Sequence, residues 1–188
     1  MEIHVSRSPL LEVDLTKVED ARAFAAQKHL GQTRKGAGEV PYFTHLQEVA
    51  GLVERFGGSQ VAISAAWLHD TVEDCGVAPS EVEALFGPEV AAVVAEVTDD
   101  KLLEKQMRKR LQVAHAPHKS ADGALIKICD KMSNIRSVAE APPLHWDLAR
   151  KRAYLGWADE VISALPRHWP EALAAFADQL AASRRLVG

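Results

Sequence analysis

The stretch Ala65-Ala66-Trp67-Leu68-His69-Asp70-Thr71-Val72-Glu73-Asp74 constrains the fold more than any other part of the chain. On a continuous helix His69 and Glu73 lie four apart, as do Asp70 and Asp74, and Asp70 and Glu73 lie three apart. All four are therefore expected on one side. Around them Ala62, Ala65, Ala66, Leu68 and Val72 supply apolar contact. Carboxylates on a mostly apolar helix are costly to bury without a cation. The fold must bring positive charge to this segment, and an upstream His45 and a downstream Asp130 complete a mixed nitrogen and oxygen donor set. Such a set suits a divalent transition metal, and in an octahedral shell four protein ligands leave about two positions for water and substrate. The chemistry expected there is activation of water and polarisation of a phosphoryl group.

A second segment carries related information. In Ile126-Lys127-Ile128-Cys129-Asp130-Lys131-Met132-Ser133-Asn134-Ile135-Arg136, the polar residues Lys127, Asp130, Lys131 and Asn134 follow i, i+3, i+4, i+7. Leu125, Ile128, Met132 and Ile135 form an apolar stripe opposite. One face is expected in the core, the other presenting a carboxylate flanked by two ammonium groups and an amide.

The rest of the chain reads as helices with short breaks, an all-α bundle in one compact domain. Thr16-Lys17-Val18-Glu19 and Thr44-His45-Leu46-Gln47 read as capping boxes, the second placing His45 in the first turn of its helix. Ser59 is a candidate cap for the helix expected to run through His69 to Asp74. Further helices are expected from Pro79 to Gly87, Glu89 to Val97, Lys101 to Ala116, Ser120 to Ala139, Asp147 to Leu165 and Pro170 to Leu186. Gly31 to Val40 is the one sizeable polar, glycine-rich break, and no alternating strand pattern competes with the helices. Residues 16–188 are expected to form the domain, with 1–15 as an N-terminal extension.

At 188 residues the chain can bury a substantial core. No run of about 18 apolar residues suggests a membrane span, and Met1-Glu2-Ile3-His4 does not open a secretory leader. The net charge of −4 provides no basic field for nucleic acid. Cys75 and Cys129 give no disulfide framework, and reduced thiols fit a cytoplasmic setting. Each adjoins a candidate site residue, but an oxygen-rich hard site does not call for thiolate, so both read as packing residues.

The chain resembles the RelA/SpoT-type HD-domain hydrolases, in particular the small stand-alone alarmone hydrolases. The likeness rests on Gln32-Thr33-Arg34-Lys35, Pro41-Tyr42-Phe43-Thr44-His45, Leu68 to Asp74, Phe86-Gly87-Pro88-Glu89-Val90, Val97 to Lys101, Arg108 to Gln112, Lys127 to Arg136 and Tyr154 to Ala158. It runs from about Val18 onward. The resemblance implies an HD-domain helical bundle and a guanosine-3′,5′-bis(diphosphate) 3′-pyrophosphohydrolase, which releases pyrophosphate from (p)ppGpp to give GDP or GTP, with one Mn²⁺ per site. It places the metal ligands at His45, His69, Asp70 and Asp130, and the catalytic pair at Glu73 and Asp74. Arg34, Lys35, Lys105, Asn134 and Arg150 fall at substrate-binding positions.

Glu73 and Asp74 are placed to orient a water or take its proton, and spacing does not choose between them. Lys101, Lys105 and Arg108 fall on one face of the expected helix, as phosphate partners or as a solvated charge run. His29 reads as a helix-end packing residue, and Tyr42 either as a base contact or as a core residue. Trp67 and Trp157 read as core, Trp146 and Trp169 as boundary packing. Two other functions compete: an HD-type nucleotide phosphatase, for example one removing the 2′ phosphate of NADPH, and a non-catalytic alarmone-binding module.

Overall fold

A computed structural model describes residues 15–36 and 38–188. The expected extension, apart from Leu15, lies outside the described residues. Helix α1 spans Leu15–Lys28, α2 Phe43–Arg55, α3 Gln60–Leu68, α4 Thr71–Cys75, α5 Pro79–Phe86, α6 Pro88–Val97 and α7 Lys105–His115. A 3₁₀ turn at Ala116–His118 leads to α8, Ala121–Glu140, followed by α9, Leu148–Ser163, and α10, Pro170–Val187. Among the described residues the only extended pairing is an isolated bridge between Thr33 and Pro41, which pinches the Gly31–Val40 loop.

Two helices form the centre. In α3 every residue from Ala62 to Leu68 is buried, and it packs against α1, α2, α6 and α8. Its alanines let those neighbours approach closely, and Ser59 caps it by accepting the Ala62 N–H. Helix α8 touches α2, α3, α6, α9 and α10, and Ser120 caps it through the Gly123 N–H. Because α8 is surrounded, its polar face is not a surface. Lys127, Asp130 and Lys131 are only 6 %, 7 % and 3 % exposed, while Met132 of the apolar stripe is half-buried.

The expected continuous helix through Asp74 is corrected to α3 and α4 with a break at His69–Asp70. The break has a local cause. Side chains capture the last carbonyls of α3: the His69 ring meets the Ala66 carbonyl at 2.7 Å, and the Thr71 hydroxyl donates to the Leu68 carbonyl at 2.7 Å. Side-chain bonds of this kind compete with helix continuation. Asp70 then opens α4, whose left-handed stop is Gly76 at φ 68°.

Three helix starts also differ. Helix α1 begins at Leu15, ahead of the expected Thr16 cap. Thr44 lies inside α2 and bonds the Pro41 carbonyl, although His45 is in the first turn as expected. Helix α7 begins at Lys105, so Lys101 sits in a turn and does not share a helical face with Lys105 and Arg108.

Candidate metal and phosphate site

The break between α3 and α4 turns His69 and Asp70 toward α2 and α8. One ligand atom each from His45, His69 and Asp70 lies within 4.8 Å of the others. The His69 Nε2 is 3.0 Å from Asp70 Oδ2, and the His45 Nε2 is 3.6 Å from the same oxygen. Asp130, from α8, brings Oδ1 to 3.5 Å from His45 Nε2. Helix α2 and the α3–α4 break thus bring two imidazoles and one carboxylate together, and α8 sets the Asp130 carboxylate against His45 at the edge of that group.

The donor set fits a divalent cation. With Nδ1 of His69 engaged by the Ala66 carbonyl, Nε2 faces the carboxylates, buried and without a hydrogen-bond partner. An orphaned ring nitrogen against two carboxylates is the arrangement a metal completes, the second nitrogen being oriented by a backbone carbonyl. Burial opposes charge on His69, but Asp70 and Asp130 outweigh it and push its pKa up to about 9. Burial and the neighbouring His69 push His45 down to about 4. Asp130 is held down to about 2, Lys131 and Lys127 outweighing the cost of burial. The Asp70 carboxyl is likewise held far below the usual range: burial raises it, but His69, His45 and the Tyr42 hydroxyl more than compensate.

Surrounding groups hold the carboxylates. The Tyr42 hydroxyl donates to Asp70 Oδ2 at 2.5 Å, and its ring stacks on His29 with centroids 5.0 Å apart. Tyr42 thus packs against the core while its hydroxyl holds a site carboxylate. His29 is buried and bonded through Nδ1 to Gln32. Lys131 donates to Asp130 Oδ2 at 3.0 Å, and its ammonium sits 4.7 Å over the Trp157 ring. Asn134 donates to Asp130 Oδ1 at 2.5 Å, so its amide nitrogen is engaged with a site carboxylate. Lys127 turns away to the Val97 carbonyl at 2.9 Å and Lys119 bonds that of Glu96, so two ammonium groups close the C-terminal end of α6.

The acidic pair lies beside the cluster. Glu73 accepts from the Asp99 N–H and from Arg108, each at 3.3 Å. Burial, Asp99 and Asp70 raise its pKa. Asp74 pairs with Lys101.

The expected substrate cations divide into two groups. Arg34 points inward, onto Glu48 Oε2 at 3.4 Å and Ser133 Oγ at 3.2 Å. Lys35, Lys105 and Arg150 are exposed. They share a neighbourhood: partial burial, then Arg150, Lys35 and Arg108, lower the pKa of the Lys105 ammonium. Arg150 also lies 4.7 Å over the Trp146 ring. Helix α7, the start of α9 and the Gly31–Val40 loop thus gather four cations with no carboxylate among the groups perturbing Lys105.

Tyr42, Glu48, Lys131, Ser133 and Arg108 carry contacts that spacing does not reveal. The one available signal is position: Lys131 and Ser133 flank Asp130 closely, and Tyr42 and Glu48 each lie three residues from His45. Cys129 is buried in the core and Cys75 accepts a weak bond from Gln32, so both thiols are free and neither joins the cluster.

The sequence model of the family described as HD domain matches residues 21–155. Guanosine-3′,5′-bis(diphosphate) 3′-pyrophosphohydrolase MESH1 of Xenopus tropicalis is 42% identical over 154 residues, covering 81% of this chain and 86% of its own. The Homo sapiens protein of the same name is 43% identical over 148 residues, covering 78% and 83%. A solved structure described as a metazoan orthologue of SpoT that hydrolyses ppGpp superposes with a TM-score of 0.83 at 39% identity, covering 90% of this chain and 96% of the other. With its paired His69 and Asp70 at the junction of two core helices, this chain belongs to the HD-domain family.

Proposed function

We propose that this protein is a metal-dependent guanosine-3′,5′-bis(diphosphate) 3′-pyrophosphohydrolase, acting on (p)ppGpp in the cytoplasm with Mn²⁺ as its cation. The observation that carries the reading is the convergence of His45, His69 and Asp70, with Asp130 against His45 and a group of cations on the neighbouring elements, in a chain over 40% identical to proteins named for this activity. The two free thiols and the absence of any described helix long and apolar enough to cross a membrane are compatible with that setting.

The cation, when bound by these four side chains, supplies a Lewis acid that lowers the pKa of water toward neutrality and offsets charge on the reacting phosphate. The protein's own groups do the rest. Glu73, its basicity raised by burial and by Asp99, takes the proton from the attacking water, while Arg108 fixes the carboxylate in place. Asp74, tethered by Lys101, orients the same water. Lys35, Lys105 and Arg150 hold the nucleotide's phosphates, because mutually repelling cations are stabilised by a polyanion. Arg34 offers its planar fork at the inner end of the same surface. Asn134 has a second amide hydrogen and a carbonyl oxygen available for the nucleotide while it holds Asp130.

Purified protein incubated with Mn²⁺ and guanosine tetraphosphate should yield GDP and pyrophosphate in equal amounts. Orthophosphate as the product, or turnover confined to the 2′ phosphate of NADPH, would replace this reading with the nucleotide-phosphatase one. Tight nucleotide binding without turnover would replace it with the binding module.

A further inference from the structure

Glu48, in α2, has no part in the chemistry above, yet its carboxylate is the meeting point of Arg34, Arg136 and the Ser133 hydroxyl. Ser133, in α8, is 1% exposed, and its Oγ lies 2.9 Å from Nδ1 of His45, itself 2% exposed. The hydroxyl's bonding capacity can be counted in full. A serine oxygen offers one donated bond and two accepted ones. The donated bond goes to Glu48 Oε2 at 2.9 Å, because an ionised carboxylate can only accept. One accepted bond comes from Arg34 Nη2 at 3.2 Å, because a guanidinium can only donate. What remains toward His45 is an acceptor. The His45 ring must therefore donate from Nδ1, which leaves its Nε2 lone pair free. That lone pair faces Asp70 Oδ2 and Asp130 Oδ1, at 3.6 and 3.5 Å.

We propose that Glu48 and Ser133 are positioning residues that fix His45 as the Nδ1–H tautomer and aim its Nε2 lone pair at the cation position. The proposal rests on the reading of His45, His69, Asp70 and Asp130 as a divalent-cation site. The relay is the side-chain counterpart, for His45, of what the Ala66 carbonyl does for His69. Its far end is anchored because Arg34 and Arg136 both pair with the Glu48 carboxylate. A cross-link between α2 and α8 that served only packing would place no demand on which His45 nitrogen bears the proton.

The test uses the full chain, first free of metal. Two-dimensional NMR on protein with isotope-labelled histidine reports which ring nitrogen of His45 is protonated, and calorimetry then measures Mn²⁺ affinity. In the wild type the proton should be on Nδ1. In Ser133→Ala, Nδ1 loses its acceptor and the proton should move to Nε2, beside the two carboxylates, with Mn²⁺ affinity falling about 10- to 100-fold. Ser133→Thr keeps the hydroxyl and should restore both readouts. In Glu48→Ala the serine proton is no longer committed, so His45 should become a mixture of tautomers with a smaller loss of affinity.

An Nε2–H ring in the wild type would overturn the proposal. So would Ser133→Ala with Mn²⁺ affinity within about twofold of wild type, where a lost outer contact to a metal-binding His costs about tenfold or more. A wild type that binds no Mn²⁺ but shows the same tautomer pattern would overturn the cation reading and uphold the hydrogen-bond relay.

Discussion

Among individual side chains, the cluster carries more charge than its burial allows without an ion, and protons stand in for part of that charge. His69 is raised from its ordinary 6.5 to about 9 by its carboxylate neighbours, against the effect of burial. A raised pKa means that the protonated ring stabilises the metal-free fold. That contribution is complete below about pH 6.5 and lost as pH rises through about 9. A dication must displace this proton, whereas His45, held near 4, has none to lose at neutral pH. Calorimetry at pH 7 in buffers of different ionisation enthalpy should therefore show about one proton released per Mn²⁺, with affinity rising from about pH 6 toward about 9. Two further substitutions separate the roles. Asp130→Ala should lose metal and turnover together, while Glu73→Gln should keep the metal and lose rate by about 100-fold or more. Tyr42→Phe removes the hydroxyl from Asp70 and should weaken Mn²⁺ binding by about tenfold, read by the same titration.

His69 and Asp70 stand out in the sequence because carboxylates on an apolar segment are costly to bury unless a cation offsets them, whereas the full set with His45 and Asp130 is what the family resemblance implies. Their supports do not stand out. No spacing singles out Glu48, and its partner Ser133 is distant in sequence, so only the crossing of α2 and α8 makes the pair meaningful. Arg34 is legible as a phosphate-type cation but not as a guanidinium folded inward onto that pair.

Among the helices, the site depends on where each one stops. The break at His69–Asp70 cannot be read from periodicity, since the segment fits one helical face. It arises from competition by the His69 and Thr71 side chains for the carbonyls of Ala66 and Leu68. The caps at Ser59 and Ser120 can be anticipated or bracketed from the sequence, because a serine at a helix start acts on an N–H only three residues ahead. Ser120→Ala should cost about 1 kcal/mol in urea unfolding, by loosening the start of the helix that carries Asp130. The Gly31–Val40 loop is set by a backbone approach: a Cβ on Gly36 would lie 2.5 Å from the Ala141 carbonyl oxygen, just beyond the end of α8. Neither partner is a flexible side chain. Gly36→Ala should shift Arg34 and Lys35 and raise KM for guanosine tetraphosphate by about tenfold, while Mn²⁺ affinity stays unchanged.

For the molecule as a unit, Asp130 lies within the core helix α8 and His69–Asp70 directly follow the buried α3, so a cation bound there should also stabilise the fold. All-α packing is legible from helical periodicity, capping residues and alanine content. The burial of both faces of α8 is not, because its amphipathic stripe resembles that of a surface helix. A cation that binds only the folded chain adds about 2.7 kcal/mol at about 100 times its Kd. For a chain of this size that corresponds to roughly 5–10 °C in Tm. Chelation should lower Tm by that amount, and Asp130→Ala should abolish the difference.

One dication, held by His45, His69, Asp70 and Asp130, is what would make this fold a pyrophosphate-releasing hydrolase. The decisive titration adds Mn²⁺ to metal-free protein under excess guanosine tetraphosphate and follows pyrophosphate release. Turnover should rise from none and level off at one equivalent of metal per chain. Turnover that persists under chelation, or that survives Asp130→Ala, would refute that dependence on the cation.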